Sequence, residues 1–418
     1  MSAQSIEERD GASGERERSP SIEELAAAEY PSVAGTSVAR PGLRIRAMAR
    51  VAIRMMFHDK LKLLGTVSGV VFAVVLAVQQ LSILFGLLEK NTMFVDSAGA
   101  DIWLVPPNTE LLQPGERMSE TVLTLARTTP GVELAEPLLF TAGTLKKPNG
   151  GSEPVSLVGT TLPARLGGPW NIVAGDASAI AEPDTMFFED SEREKYGGLN
   201  LGSIRELNGH RVRVGGFTWG LLPFGPAYCF GDIDLVRTLT TTPTDRANFV
   251  LVKTRPGADV FAVQRALAAR VPEVLALTRE QYSKSIVVNL LKQQLGMSFG
   301  ISTSFGLIIG FVIVSLSMFS SVIDNLREFG TLKAIGCTNK DLTVLLLVQS
   351  VVYALIGSFV GLGVVTRVAL AIRNPKLVPI IPNVILAIVP FVMLFLCIIA
   401  SVLALSRIRK LEPAMVFR

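Results

Sequence analysis

Side chains that could perform catalysis are few in this sequence and lie far apart. The densest group of carboxylates is in EPDTMFFEDSEREKYGG, residues 182–198, and a pair of carboxylates can act as general acid and base. A run of mixed charges is more typical of a solvated loop, which is the interpretation we favour. The two histidines, His58 and His210, fall on opposite sides of the membrane in the topology described below. That separation argues against a histidine-based metal or nucleophile site.

Nucleotide-binding and intramembrane polar groups also point away from an enzyme. The sequence has no G-x-x-x-x-G-K-[ST] motif, so we do not expect it to bind ATP through a P-loop of its own. Gln79, Gln80 and Gln349 lie inside apolar segments, where hydrogen bonds between helices are favoured over substrate contacts. We therefore expect a non-catalytic chain that holds no metal and no cofactor.

The composition indicates a membrane protein with a sizeable aqueous part. Of 418 residues, 49% are apolar and 18% are charged, which is too apolar for an ordinary soluble domain and too charged for a chain buried in lipid throughout. The net charge of +4 is small, and nothing in its distribution indicates nucleic-acid binding. The first apolar run begins only after Leu61, so a signal peptide is not expected.

Four segments are long and apolar enough to cross a hydrocarbon core of about 30 Å, which takes roughly 20 helical residues. They are residues 63–88, 299–323, 342–368 and 382–405.

The distribution of Lys and Arg predicts the orientation of these spans. A basic amphipathic helix over residues 43–62 precedes the first span and is expected at the membrane surface, with its basic face toward lipid headgroups. Basic residues also lie in 324–341 and in 406–418, so both termini are predicted to be cytoplasmic. The loop between the third and fourth spans, with Arg373 and Lys376, is a mild exception. Residues 1–42, rich in Glu, Ser and Ala, are predicted to be a disordered cytoplasmic tail.

Residues 89–297 are then predicted to lie outside the cytoplasm as a mixed α/β domain. ADIWLVPP, RVRVGGF and NFVLVKT are typical of strands, and PGADVFAVQRALAARVP has apolar residues at helical spacing. We expect a small sheet with helices on one face, and a stalk helix over REQYSKSIVVNLLKQQLGMSFG that runs into the second span. The predicted fold class is an α-helical membrane protein with four transmembrane helices and a large α/β extracytoplasmic domain inserted between helices 1 and 2.

The segment 324–341, between the second and third spans, predicts a rigid corner. Its apolar residues recur every third position from Leu326 to Ile335, which gives a helix one apolar stripe. Gly336 suits the position that ends a helix, and Thr338 with Asp341 resembles a capping box that begins the next one. A plain charged connection between two spans fits the same pattern, and the residues alone leave both interpretations open.

REFGTLKAIGCTNKDL, residues 327–342, resembles the signature of the MacB/LolC/FtsX superfamily of ABC-transporter permeases, in which this corner contacts a separate ATPase. The basic ending SRIRKLEPAMVFR also resembles the family's C-terminus. FFEDSEREKYG, HRVRVGGF and LVKTRPGADVFAVQRAL look like the external domain of DevC-type permeases, the closest likeness. The resemblance covers residues 43–418.

The resemblance implies the membrane subunit of an export complex in the bacterial inner membrane. ATP and Mg would be bound by a cytoplasmic ABC ATPase subunit, and the chain would pair with a second permease copy, most simply as a homodimer. A membrane-fusion adaptor protein and an outer-membrane tunnel would continue the path outward. The coupling of ATP hydrolysis to the external domain is expected to be mechanical. The implied ATPase-coupling residues are Arg327, Glu328, Phe329, Gly330, Leu332, Lys333 and Gly336, with Glu328 and Lys333 as polar contacts, Phe329 as apolar anchor and Gly330 for close approach.

Two other function classes remain open at the level of sequence. An FtsX-like signalling permease would use the same corner to activate an extracytoplasmic hydrolase without moving a substrate. A membrane-anchored binding protein would have no ATPase at all. A lipid-like or other amphipathic substrate is expected by resemblance, but no substrate pocket can be identified in the sequence.

Overall fold

The computed structural model describes residues 41–408 except 108, 110, 114, 163–165, 224, 293 and 372–379. The predicted tail over 1–42 and the predicted C-terminus over 406–418 therefore lie almost entirely outside the described residues, as does most of the loop between the last two spans. The helices are α1 (Pro41–His58), α2 (Lys60–Ser97), α3 (Glu120–Arg127), α4 (Ile233–Thr240), α5 (Val260–Arg270), α6 (Arg279–Lys292), α7 (Gln294–Asp324), α8 (Leu326–Ala334), α9 (Asn339–Ala371) and α10 (Asn383–Ile408).

Four helices in the described part of the chain are long and apolar enough to span a membrane. They are Lys60–Ser97, Gly296–Asp324, Asn339–Ala371 and Asn383–Ala404, which lie within α2, α7, α9 and α10. The predicted spans coincide with them, but α2 continues nine residues beyond the predicted end at Leu88. The long helices form one bundle, whose two ends we call the corner end, where α8 lies, and the domain end, where the strands lie.

The basic amphipathic segment is helical, but it differs from the prediction in two ways. It ends at His58, because Asp59 begins a new helix by accepting a hydrogen bond from the Lys62 amide at 3.1 Å. In addition, one face of α1 is buried against the bundle, through Ala52 and Met56. The helix therefore packs on protein as well as presenting basic and apolar side chains outward.

Helix α2 is central to the bundle and packs against α7 and α9. Close approach to α9 depends on two glycines one turn apart. A Cβ atom added at Gly357 would lie 2.4 Å from Val70 Cγ1, and one at Gly361 would lie 2.8 Å from Val74 Cγ1. Small residues at such spacing let membrane helices pack backbone to backbone.

The described residues contain twelve strands, which all follow α2 and precede α7 in chain order. Ten of them form one sheet in the order β12-β1-β11-β3-β4-β9-β6-β8-β5, with β7 paired to both β3 and β8, and β2 pairs with β10 in a separate two-stranded sheet. The strands are β1 (Ile102–Val105), β2 (Met118–Ser119), β3 (Val132–Lys146), β4 (Ser152–Thr160), β5 (Ile172–Gly175), β6 (Thr185–Glu189), β7 (Ile204–Leu207), β8 (His210–Thr218), β9 (Tyr228–Asp232), β10 (Arg246–Ala247), β11 (Phe249–Thr254) and β12 (Leu275–Thr278).

This sheet is larger than predicted and has a feature that local sequence patterns did not indicate. Because β7 pairs with the end of β3, the strands β3, β4, β9, β6, β8 and β7 form a closed ring. The ring surrounds a core that includes Phe188, Tyr196 and Phe217. We call this part the distal lobe, and the strands β12, β1, β11 and the first half of β3 the proximal lobe.

Helices cover both faces of the proximal lobe, so the prediction of helices on one face is wrong. On one side, α3 and α5 bury apolar side chains such as Val122 and Leu267 against the sheet. On the other side, the end of α2 and the stalk helix α6 contribute Phe94 and Tyr282 to a second core. The prediction ended the first span at Leu88 and did not extend its helix into the domain, so the role of the last turns of α2 as a domain helix was missed.

Phe94, near the C-terminal end of α2, lies at the centre of an aromatic cluster. Its ring centroid is 5.4 to 6.3 Å from those of five other rings, and Phe94 has no solvent exposure. Aromatic rings at this spacing stabilise one another beyond the area that they bury. The contacting rings are Trp103, Phe140, Trp170, Tyr228 and Phe230.

Candidate functional site

The corner that follows α7 is fixed at both of its turns by local hydrogen bonds. At the end of α8, the amide of Gly336 donates to the Lys333 carbonyl at 3.0 Å, and the amide of Cys337 donates to the Leu332 carbonyl at 3.0 Å. Gly336 has φ +101°, which a residue without a Cβ adopts at little cost. This is the Schellman arrangement, and it places Gly336 where the sequence predicted a helix end.

Helix α9 begins immediately afterwards with the predicted capping box. The Thr338 amide donates to Asp341 Oδ2 at 2.9 Å, and the Asp341 amide donates to Thr338 Oγ1 at 3.3 Å. Each side chain thus satisfies a backbone amide that the first turn of the helix leaves without a partner. Only Gly336 and Cys337 separate the cap of α8 from Thr338, so the corner has no flexible linker.

The start of α8 is held against the other helices by polar contacts. Asn325 separates α7 from α8, and its side-chain amide donates to the Ser321 carbonyl at 2.9 Å. Asp324, the last residue of α7, accepts a hydrogen bond from Lys62 Nζ at 2.5 Å. Since Lys62 lies in the first turn of α2, this ion pair joins the corner to the beginning of the longest helix.

The seven sequence-predicted coupling residues do not form one surface. Arg327, Glu328 and Gly336 are exposed, and Leu332 and Lys333 are partly buried. Gly330 is buried, and Phe329 is only 2% exposed because it packs in the bundle core with residues such as Met56 of α1 and Leu342 of α9. In this arrangement Phe329 holds α8 on the bundle and presents almost no surface to a partner.

Ile335 is an exposed apolar residue at this corner that was not among the predicted ATPase-coupling residues. It was assigned to the same stripe as Phe329, but its side chain is 82% exposed. The reason is that Ile335 is the C-cap of α8, so the backbone turns away from the bundle there. The glycine at 336 was the available signal, because it places the helix end at Ile335.

The interpretation of residues 182–198 as a solvated loop is only partly right: Glu182, Asp184 and Glu194 are exposed, but the segment contains strand β6 of the distal lobe and two buried carboxylates, Glu189 and Glu192. Glu189 ends strand β6 and is fully buried. It accepts hydrogen bonds from the Gly220 amide at 2.7 Å, the Leu221 amide at 3.1 Å and the Thr218 hydroxyl at 3.2 Å. Burial raises the pKa of Glu189 above its usual value, although these hydrogen bonds oppose the shift.

Lys90 connects this carboxylate to α2. The Lys90 ammonium donates to the Gly220 carbonyl at 2.6 Å, and the Gly220 amide donates in turn to Glu189. Three elements therefore meet at one residue, Gly220: α2, β6 and the loop after β8. In the described part of the chain, no group of three or more His, Cys, Asp or Glu side chains is placed to hold a metal.

These features define a multispan membrane protein with a large α/β domain at one end of its bundle and a short, rigidly capped helix at the other. Two protein-family models match the chain: a MacB-like periplasmic core domain over residues 63–270 and an FtsX-like permease C-terminal model over residues 300–413. The chain belongs to the MacB/FtsX superfamily of ABC-transporter permeases. Membership implies a permease subunit that works with a cytoplasmic ATPase.

Individual relatives agree with this assignment. The chain is 26% identical over 373 residues to uncharacterized ABC transporter permeases from two strains of Mycobacterium tuberculosis, covering 88% of this chain and 99% of theirs.

Two solved structures are also similar. The periplasmic region of MacB from Actinobacillus actinomycetemcomitans is 10% identical, with 48% of this chain and 97% of that one covered at a TM-score of 0.36. The extracellular domain of the noncanonic ABC-type transporter YknZ from Gram-positive bacteria is 14% identical, with 43% and 98% covered at 0.32.

Proposed function

We propose that this chain is the transmembrane subunit of an ABC export complex in the bacterial inner membrane. In this proposal both termini and α8 are cytoplasmic, and the α/β domain lies outside the cytoplasm between the first and second spans. The complex contains a second copy of the permease and a cytoplasmic ATPase, and it exports a lipid-like or other amphipathic substrate. A DevC-type assembly with an adaptor protein and an outer-membrane tunnel is the form that the external sequence segments favour.

The continuity of α2 is the observation that supports this proposal most strongly. At about 1.5 Å per residue its 38 residues extend about 57 Å, well beyond a hydrocarbon core of about 30 Å. Its first turn holds the corner through the ion pair between Lys62 and Asp324. Its last turns place Phe94 and Val95 in the core of the α/β domain.

A helix with these attachments can transmit motion between the two ends of the bundle. When the ATPase dimer closes on ATP, it displaces α8, and the ion pair and the packing of Phe329 pass the displacement to α2 and to the bundle. The aromatic cluster then moves the α/β domain, because Phe94 is fully buried among five rings of that domain. Substrate is moved outside the membrane, so the four spans need not form an open channel.

The exposed residues of the corner are the ones that we assign to ATPase docking. Arg327 and Glu328 offer charged groups, and Ile335 offers an apolar side chain that can fill a pocket on the partner. Phe329, Gly330 and Leu332 keep α8 on the bundle, and Gly336 sets the turn. Lys333 is partly buried, so its exposure is intermediate between the docking residues and those that hold α8 on the bundle.

Affinity purification from native membranes in mild detergent tests the docking site. The Glu328→Arg and Ile335→Asp variants should lose the ATPase subunit that co-purifies with the wild type. Glu194→Arg, an exposed residue of the α/β domain, is the matched control and should retain it. Retention of the ATPase by both corner variants would contradict the docking assignment, and capture of a hydrolase would favour signalling over export.

A helix-breaking substitution tests mechanical coupling separately from docking. Glu89 lies on an exposed position of α2 between the span and the aromatic cluster, and Pro in a helix interior costs about 3 kcal/mol. With a spin label at Glu194→Cys, in a Cys337→Ser background, distances between two copies should change on ATP binding in Glu89→Ala but not in Glu89→Pro. Equal changes in both variants would exclude α2 as the transmitting element.

A further inference from the structure

A polar cavity at the corner end lies beside the contacts described so far, and those contacts do not fill it. Its volume is about 310 Å³, and α1, the first turn of α2, the end of α7, α8 and α9 all contribute to its lining. Elements that pack tightly elsewhere in the bundle therefore leave a space where they converge. The lining residues used below are Arg54, Asp59, Lys62, Glu328 and Gln349.

The floor of the cavity has a hydrogen-bond acceptor without a donor. Gln349 is only 3% exposed, and its Nε2 donates to the Ala52 carbonyl at 3.5 Å. Gln349 Oε1 accepts no hydrogen bond from any described residue. A buried carbonyl oxygen is normally paired, so this atom favours a ligand that brings an N–H or O–H group.

The rim provides one positive and one negative group that have no ion-pair partner among the described residues. Arg54 lies on α1 and Glu328 on α8, and both line the cavity. Lys62 and Asp59 also line the cavity, but Lys62 already pairs with both Asp59 and Asp324. A ligand that has an anionic and a cationic group would satisfy Arg54, Glu328 and Gln349 together.

Exposed apolar side chains beside the cavity indicate that this ligand has a hydrophobic part. Phe57, Leu61 and Leu64 are more than half exposed and follow one another from the end of α1 into α2. Basic Arg46 and Arg50 are exposed on the preceding turns of α1. Apolar side chains next to basic ones are typical of a segment at the membrane interface, where apolar groups contact acyl chains and basic groups contact phosphates.

We propose that the cavity between Arg54, Glu328 and Gln349 binds the headgroup of a phospholipid that has a phosphate and a primary ammonium, as in phosphatidylethanolamine. The phosphate pairs with Arg54, and the ammonium donates to Glu328 and to Gln349 Oε1. A trimethylammonium group has no N–H to donate, so phosphatidylcholine would leave Gln349 unpaired. The bound headgroup would hold α8 against α1, and because Glu328 is also assigned to ATPase docking, lipid and ATPase would share this side chain.

Native mass spectrometry of the purified full-length protein tests this site. Phosphatidylethanolamine, phosphatidylcholine and phosphatidylglycerol with the same acyl chains are added in turn, and the retained lipid is measured. We expect preferential retention of phosphatidylethanolamine, weakened roughly tenfold in Arg54→Gln and in Gln349→Leu, as for loss of a hydrogen bond to a charged group. Arg50→Gln, on the same helix but outside the cavity lining, is the matched control and should bind like the wild type.

Three results would overturn the proposal. Equal retention of phosphatidylethanolamine by the wild type, Arg54→Gln and Gln349→Leu would show that the lipid binds elsewhere. Stronger retention of phosphatidylglycerol would indicate a purely cationic surface. Full competition by free phosphoethanolamine would assign the cavity to a soluble ligand, because the acyl chains would then add nothing.

Discussion

The two ends of α2 are attached to their surroundings by opposite kinds of contact. At the corner end, Lys62 pairs with Asp324, whose side chain is more than half exposed, beside a water-accessible cavity. At the domain end, Phe94 is enclosed by five aromatic rings with no exposure to solvent. The same helix therefore has a polar, exposed attachment at one end and an apolar, buried one at the other.

This difference indicates which end of α2 can move relative to its neighbours. Exposed ion pairs contribute little and can exchange partners with water, so α2 and α8 can shift against each other without a large loss. The aromatic cluster cannot rearrange without opening a cavity, so the α/β domain must follow α2. Substitutions at the two ends should accordingly differ in size and in their response to salt.

The largest effect is expected from Phe94→Ala. Removing a ring from a closed aromatic core should lower the free energy of unfolding by about 3–5 kcal/mol. Urea unfolding of the detergent-solubilised protein, followed by tryptophan fluorescence, measures this because Trp103 and Trp170 contact Phe94. Phe72→Ala, at a half-exposed position of the same helix, should unfold like the wild type. Equal losses in both variants would refute the distinction between the two regions.

Glu189→Ala should have the next largest effect. It leaves the buried amide of Leu221 and the amide of Gly220 without their acceptor, and an unsatisfied buried donor costs about 1–3 kcal/mol. The same unfolding measurement applies, with Glu194→Ala as an exposed control. No loss in Glu189→Ala would mean that water replaces the carboxylate, and that the contact of Lys90 with Gly220 does not depend on it.

The pH dependence of Glu189 has a defined sign. Because burial raises its pKa in the folded state, its protonation contributes stability below the ordinary value of 4.5, and this contribution is lost as pH rises through the raised pKa. The difference in unfolding free energy between the wild type and Glu189→Gln should therefore decrease with increasing pH over that window. A difference that increases with pH would show that the hydrogen bonds outweigh burial.

A smaller effect is expected at the corner from Thr338→Ala. Loss of the capping hydroxyl should cost about 1 kcal/mol and should weaken ATPase retention, because α8 and α9 would no longer meet at a fixed angle. Thr338→Ser keeps the hydroxyl and should behave like the wild type in both measurements. If Thr338→Ala also retains the ATPase fully, the rigidity of the corner is not needed for docking.

The smallest effect is expected from breaking the pair between Lys62 and Asp324. A double-mutant cycle of Lys62→Met and Asp324→Asn should give a coupling energy that disappears at high salt, since exposed charges are screened. In these variants, the change in distance between the two permease copies on ATP binding should decrease by a larger fraction than the free energy of unfolding does. A coupling that survives high salt would mean that the corner end is as rigid as the domain end.

Features encoded within a few adjacent residues were predictable from the sequence. The spans follow from the length of apolar runs, so their limits agree with the helices to within a few residues, apart from the extension of α2. The Schellman turn at Gly336 and the capping box of Thr338 and Asp341 likewise depend only on neighbouring residues. Family resemblance added the partner class, which no local pattern contains.

Features that depend on distant residues were not predictable in this way. Phe329 is buried in the bundle core, to which α1 contributes Met56 from about 270 positions earlier in the chain. Glu189 is buried because its partners Gly220 and Leu221 arrive from another loop. The ring of strands closes through β7 and β3, which the chain separates by most of the distal lobe. In each case the deciding partner lies in a distant part of the chain, which a local pattern does not contain.

Strand β3 restricts where recombination between related genes can divide this domain. Its fifteen residues pair with β11 in the proximal lobe and with β4 and β7 in the distal lobe. Recombination that exchanged either lobe alone would leave the other with an unpaired strand edge, a hazard for aggregation. Exchange between related genes should therefore preserve the whole stretch from 88 to 292 as one unit, because the last turns of α2 also belong to the domain core.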